Sequence, residues 1–330
     1  MTTDTPSTQE FRVPRRELGT TGLQVSALAL GSWHTYDRMD FRDSVQLLRE
    51  AVDAGINFFD VGVYGFPGSD MPPVFTDVIF SAMVRGAGLK RDDYLLASKL
   101  WLEAFEPAEG FRPQLHNALF RAGIEHADVA VLGDLRRDDL QLEDLVDDLE
   151  SMRTEGLIRA WGVNNWSASN VARLFEIADA KGAARPAFAQ LKYSVARRSI
   201  PEGEPFGRLF EQGFELQASD IMEGGILAGR PVDSREVGRD PGGIRQRIID
   251  MAPQIAEIAG GLDATPAQLL IAFTMAHPHV FTTLFGTSRV AQLRENLGAA
   301  DLLARVGAEQ LRASVNGLWA DRGLVDPEGP

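Results

Sequence analysis

Short apolar runs rich in branched and small side chains alternate along the chain with longer stretches of helical period, the signature of successive βα units and a parallel sheet. Eight runs read as strands: Ser26–Trp33, Asn57–Gly62, Tyr94–Leu100, Asp128–Leu132, Ala160–Asn164, Ala187–Leu191, Glu215–Ser219 and Val280–Gly286. Between them, Asp43–Ala54 places Val45, Leu48 and Val52 at i, i+3 and i+7, with Gly55 following as a stop. The same spacing predicts helices over Phe111–Ala122, Leu140–Thr154 and Ser167–Lys181. Eight alternations match a closed barrel better than an open doubly wound sheet, and no G-x-G-x-x-G follows Leu30. The predicted fold is a single α/β domain over residues 1–330, a (β/α)8 TIM barrel. Ahead of it, Gly19-Thr20-Thr21-Gly22 marks a turn within Phe11–Val25, an N-terminal β-hairpin able to plug the barrel's bottom. Pro231–Ile244, rich in Gly, Pro and charge, reads as a long loop after the seventh strand, and Pro266–Ala276 as an extra helix before the eighth. Residues 1–10 and 324–330 are expected to be flexible tails.

Composition matters mainly for what it excludes. With 330 residues, 44% hydrophobic and 24% charged, the chain has the balance of an ordinary globular protein. A net charge of -14 repels phosphate backbones and anionic membrane surfaces, so no nucleic-acid or membrane partner is expected. Partners are small molecules or other subunits, with oligomeric state left open. The absence of cysteine excludes disulfides, thiolate nucleophiles and cysteine zinc sites, and no metal centre is expected. Met1–Glu10 lacks the basic start and apolar run of a secretory signal, and no apolar stretch nears about 18 residues. A cytoplasmic protein is expected.

Nine short motifs then fall in one order along the predicted strands. They begin with Arg16-Glu17-Leu18-Gly19-Thr20-Thr21-Gly22, Asn57-Phe58-Phe59-Asp60 with Tyr64-Gly65, and Ala97-Ser98-Lys99. Trp161-Gly162-Val163-Asn164-Asn165, Gln190, and Gly224-Gly225-Ile226-Leu227-Ala228-Gly229-Arg230 follow. Thr265-Pro266-Ala267-Gln268, Gly286-Thr287-Ser288-Arg289 and Glu295-Asn296 complete the series. Together, over roughly residues 15 to 300, they resemble the aldo-keto reductases, a family of barrel oxidoreductases.

The resemblance implies hydride exchange between a nicotinamide and a carbonyl, with a tyrosine as general acid/base. A free phenol has a pKa of about 10, and a nearby ammonium lowers it. By resemblance Tyr64 is the acid/base, Lys99 its activator and Asp60 the partner of Lys99. All three lie at strand C-terminal ends, where barrel sites form. The chain departs from the pattern twice here. Tyr64 follows Asp60 by four residues where the family usually has five. The family's histidine at the end of strand four is absent: counting from Asp128 reaches Gly133, then Asp134. His126 lies seven residues back, about 23 Å at ~3.3 Å per strand residue, and cannot replace it. His34, or a neutral Asp134 with a raised pKa, could orient a substrate instead, unless each serves only a loop hydrogen bond. Trp33 and Trp101 either wall the substrate pocket or pack under the loops.

For the cofactor, the resemblance implies that Asn164, Asn165 and Gln190 hold the carboxamide, with Gly31, Ser32 and Asp60 near the nicotinamide end. Ser219 stands where the family has a stacking ring, which Tyr193 could supply. Gly225 would let backbone approach the pyrophosphate, with Pro231–Ile244 as a clasp. Gly286 precedes a helix start at which Ser288 and Arg289 would bind a 2′-phosphate, with Gln292 and Asn296 near the adenine, favouring NADP (NADPH). The leading expectation is an NADP(H)-dependent oxidoreductase acting on a small-molecule C=O, C=N or C=C bond. A non-redox lyase or isomerase, and a cofactor-binding regulatory subunit resembling potassium-channel β subunits in fold, remain open alternatives.

Overall fold

The computed structural model describes residues 12–65, 72–231, 237 and 240–330. An antiparallel hairpin comes first: β1 (Arg15–Glu17) pairs with β2 (Gln24–Ser26), Arg15 opposite Ser26. Eight parallel strands then close a barrel. In chain order they are β3 (Leu28–Gly31), β4 (Phe58–Val61), then, after the short β5 (Val63–Tyr64) and β6 (Val74–Phe75), β7 (Leu95–Leu100), β8 (Val129–Leu132), β9 (Ala160–Asn164), β10 (Phe188–Lys192), β11 (Glu215–Ser219) and β12 (Val280–Phe285). Each barrel strand pairs with the next, β12 with β3 closing the ring. The eight runs read as strands are these eight, with one adjustment at the first. Ser26 belongs to the hairpin: its Oγ donates to Leu28 O (2.6 Å) and its N–H to Asn57 Oδ1 (2.8 Å), which turns the chain at Ala27 before β3 begins.

The helices are α1 (Phe41–Asp53), α2 (Thr76–Ala87), α3 (Arg112–Ala122), α4 (Leu142–Thr154), α5 (Ala168–Lys181), α6 (Glu204–Phe210), α7 (Ile244–Gly261), α8 (Pro266–Met275), α9 (Val290–Val306) and α10 (Ala308–Ser314). Their apolar faces bury against the outward side chains of the strands, such as Phe59, Val61, Leu96 and Leu132. The inward side chains form a second core in which Phe58, Phe188 and Phe281 meet edge to face, at centroid distances of 5.1 and 6.2 Å. Gly162 makes this layer possible, since a Cβ there would lie 2.6 Å from the Phe188 ring. Leu18, Leu23 and Val25 of the hairpin pack on the same cluster, so the hairpin does seal the bottom.

At the other end, the last residues are held. Ala320 N donates to Ala196 O (2.9 Å), and Glu328 caps α5, its O accepting from Ala168 N (2.8 Å) and its Oε1 from Ser169 N (2.5 Å). The expected N-terminal tail, residues 1–10, and most of the loop between Pro231 and Asp240 lie outside the described residues. Among the described residues, no helix is long and apolar enough to cross a membrane.

Candidate functional site at the barrel mouth

Because side chains alternate across a strand, the inward series Phe58, Asp60 and Ala97, Lys99 and Phe188, Gln190 climbs from the aromatic layer to a polar one. There Lys99 Nζ donates to Gln190 Oε1 (2.5 Å) and stands 3.6 Å from Asp60 Oδ2. Gln190 Nε2 donates to Asp60 Oδ2 (2.7 Å) and Gln217 Oε1 (2.8 Å). The Lys99 and Asp60 side chains are 5% and 3% exposed. Burying both charges is tolerable only because they pair and share these hydrogen bonds. Both ends of the Gln190 amide are thereby engaged inside the barrel. Among the described residues, Asp60 Oδ1 and Gln217 Nε2 are buried without a partner.

Tyr64 sits on the rim above this layer. The β5–β6 pair aligns Tyr64 with Val74 and leads into α2, whose first residue anchors the corner. Thr76 Oγ1 donates to Gly62 O (2.7 Å), accepts from Gly62 N (3.1 Å) and lies 2.7 Å from the buried Ser32 Oγ. The Tyr64 hydroxyl hydrogen-bonds Ser32. Burial, and after it the negative charge of Asp60, pushes the phenol well above its ordinary range, against the Ser32 hydrogen bond. This rise, caused first by burial, runs against the lowering by Lys99 expected from sequence; the Lys99 ammonium is bonded to Gln190 and paired with Asp60. The rings of Trp33 and Trp101 flank Tyr64, each 6.2 Å away between centroids. Trp33, His34, Asp37, Tyr64 and Val74 line a cavity of about 10 Å³. His34, at φ 55, lies tilted against Trp33 at 4.7 Å between centroids, and its Nδ1 is 2.8 Å from Arg38 Nη2.

The place of the absent histidine is physically filled. Trp101 and Gly133 end neighbouring strands, in line with Leu100 opposite Leu132. A Cβ on Gly133 would lie 2.7 Å from Trp101 Cε3, so a side chain there would have to displace the indole. The indole N–H is spent on Val63 O (2.7 Å). Asp134 is not the neutral donor considered from sequence. It ion-pairs with Arg136 (3.0 Å) and accepts at Oδ1 from Asn164 Nδ2 (2.5 Å) and Asn165 Nδ2 (3.2 Å). Trp166 lies beneath, fully buried, its indole N–H on Gly133 O (2.8 Å).

Further round the mouth, Gly224 and Gly225 adopt φ of 69° and 99°, a turn closed to ordinary side chains. Ser219 Oγ donates to Leu191 O (3.0 Å). Tyr193 cannot supply the missing stacking ring: it is buried against Phe273 and His277, with its hydroxyl between Glu202 and Arg312. Gly286 is accounted for by packing, since a Cβ there would strike Thr35 Cγ2 at 2.7 Å, while Gly31 stands beside Leu284. Ser288 and Arg289 are exposed at the start of α9, with Thr287 Oγ1 3.2 Å from Gln292 Oε1 and Asn296 buried one turn on. Sequence reasoning missed Thr76, Gln217 and the bond between Asp134 and the asparagines. The position of Gln217, opposite Gln190 in β11, was the available signal.

A closed parallel barrel of eight strands with flanking helices, its hairpin packed on the inner core, is a (β/α)8 barrel, with Asp60, Lys99 and Gln190 at the C-terminal ends of its strands. More particularly, residues 27–312 match the Aldo/keto reductase family, and the chain belongs to it. A Schizosaccharomyces pombe protein provisionally described as a voltage-gated potassium channel subunit beta is 27% identical, over 94% of this chain and 95% of its own. Proteins of Arabidopsis thaliana and Oryza sativa subsp. japonica with similar descriptions are each 25% identical, over 87% of this chain and 91% of theirs. A crystal structure provisionally described as a 2,5-diketo-D-gluconic acid reductase B superposes with a TM-score of 0.69 at 19% identity, covering 96% of this chain and 95% of that one.

Proposed function

We propose that the protein is an NADP(H)-dependent oxidoreductase acting on a small-molecule C=O, C=N or C=C bond. The observation that carries this reading is the buried Asp60–Lys99–Gln190 layer at the C-terminal ends of the strands, with Tyr64, bonded to Ser32, above it. The mouth fits a nicotinamide dinucleotide in its donor set. Asn164 and Asn165 would hold the carboxamide, the backbone at Gly224 and Gly225 the pyrophosphate, and Ser288 with Arg289 a 2′-phosphate, with Gln292 and Asn296 toward the adenine. Such a cofactor supplies hydride when bound. Tyr64 would give its proton to the substrate heteroatom. Asp60 and Lys99 keep the floor of the site charged yet internally neutral. Trp33, Trp101 and His34 would shape the opening around Tyr64.

A second reading is a regulatory subunit that binds cofactor without sustained turnover. The relatives described as channel subunits favour it, as does the filled space at Gly133. Titration with NADPH and NADH, followed by the fluorescence of Trp33, Trp101 and Trp166, tests the shared premise; binding of neither would remove both readings. NADPH oxidation with aldehyde, imine and enone substrates separates them, since the regulatory reading allows at most one slow turnover per protein.

A further inference from the structure

We infer that Glu223 and Arg197 are positioning residues, whose buried pair holds the turn from Glu223 to Gly225 in the shape that a diphosphate group uses. The inference rests on the proposed cofactor reading and goes one layer beneath it. Glu223, Gly224 and Gly225 stand at successive φ of 51°, 69° and 99°. Glycine takes such angles freely, whereas a residue with a Cβ is strained there. A left-handed glutamate just past β11, immediately before two glycines, therefore needs something to hold it.

Its own side chain supplies the hold. Glu223 is 2% exposed, and its carboxylate accepts at Oε1 from Ser194 Oγ (2.7 Å) and at Oε2 from Arg197 Nε (2.8 Å). Ser194 Oγ in turn accepts from Ala196 N (3.2 Å) and Arg197 N (3.0 Å), and Arg197 Nη2 reaches Asp240 Oδ1 (2.5 Å). The pair thus ties together the loop after β10, the turn after β11 and the residue that leads into α7. Burial pushes the Glu223 carboxyl up, while Arg197 and Ser194 pull it back. A charge at this depth is tolerable only beside its partner, so the turn keeps its shape as long as the pair stays closed. The backbone closes the same turn, Glu223 N donating to Asp220 O (2.9 Å) and Gly225 N to Met222 O (2.8 Å). A carboxylate repels a diphosphate, so any support that Glu223 gives to binding one acts through the turn.

The test compares NADPH with adenosine 2′-monophosphate, which shares the end proposed to lie at Ser288 and Arg289 but has no diphosphate. Dissociation constants are measured by isothermal titration calorimetry for the intact protein, for Glu223→Gln and for the double variant Glu223→Gln with Arg197→Met. Glu223→Gln puts an NH2 where one accepting oxygen stood, so one of the two bonds to the loop after β10 is lost. The double variant removes both members of the pair, so that neither charge of the pair is left buried alone. Both variants are expected to weaken NADPH by about tenfold, the value of one such hydrogen bond, and the monophosphate by less than about twofold. Direct repulsion between carboxylate and diphosphate predicts the opposite sign, tighter NADPH in Glu223→Gln. Tighter or unchanged NADPH binding would overturn the inference, and so would a parallel loss of both ligands, which marks a purely structural role. Failure of the intact protein to bind NADPH or the monophosphate would instead overturn the cofactor reading, and the inference with it.

Discussion

Tyr64, bonded to Ser32 and flanked by Trp33 and Trp101, is the phenol proposed as proton donor. Tyr64→Phe keeps the ring between Trp33 and Trp101 and removes only the hydroxyl. Turnover with any accepted substrate should fall by about 10²–10⁴, the usual value of a general acid, while NADPH affinity changes little. Unchanged steady-state rates would take Tyr64 out of the chemistry. At Gly133 the expected effect is on stability: Gly133→Ala forces the Trp101 ring aside and should cost about 1–3 kcal/mol in urea unfolding. Asp60, Tyr64 and Lys99 were singled out in the sequence by resemblance, each at or just after the C-terminal end of a predicted strand. The loss of the histidine was legible too, as a gap at Gly133. Its cause was not, because Trp101 and Gly133 are 32 positions apart and become neighbours only through the register of β7 on β8. Asp134's grip on the asparagines was hidden for the same reason.

Strands were the readable elements. In a parallel barrel both faces are covered, so each strand stands out as a continuous apolar run. Helix α2 was not read, because Val78 is exposed on it and its apolar residues do not form one clean stripe. The β5–β6 pair, two residues a side, is too short for any periodicity. Between hairpin and barrel the structure sets a pH dependence. Glu215, at the start of β11, is partly buried beside Arg16, and burial lifts its carboxyl to about 7 against the opposing pull of Arg16. A carboxyl whose folded pKa exceeds its unfolded value binds more protons when folded. Its contribution is therefore present below about 4.5 and lost as pH rises through 7. Unfolding in urea at pH 5.5 and 8 should show this fall in the intact protein and a flatter profile in Glu215→Gln; equal slopes would exclude Glu215 as its source.

For the molecule as a whole, the chain's two ends work on opposite faces of one barrel. The hairpin seals the bottom, and the C-terminal residues fasten the loops around the mouth. Asp321 holds Arg198 N (3.1 Å) and Ser199, Pro327 lies against Gly203, and Glu328 caps α5. Removing residues 324–330 should lower stability by about 1–2 kcal/mol, the value of a lost helix cap, read as a fall in Tm. A truncated protein that melts with the intact one would make these contacts incidental. The Trp101–Gly133 pair also bears on how such a mouth can be remodelled. A histidine introduced at 133 alone collides with the indole, and a smaller residue at 101 alone leaves a void, so neither first step is neutral. The two sites are coupled: a histidine at 133 requires the Trp101 ring to move or shrink, so the cost of either substitution depends on the other.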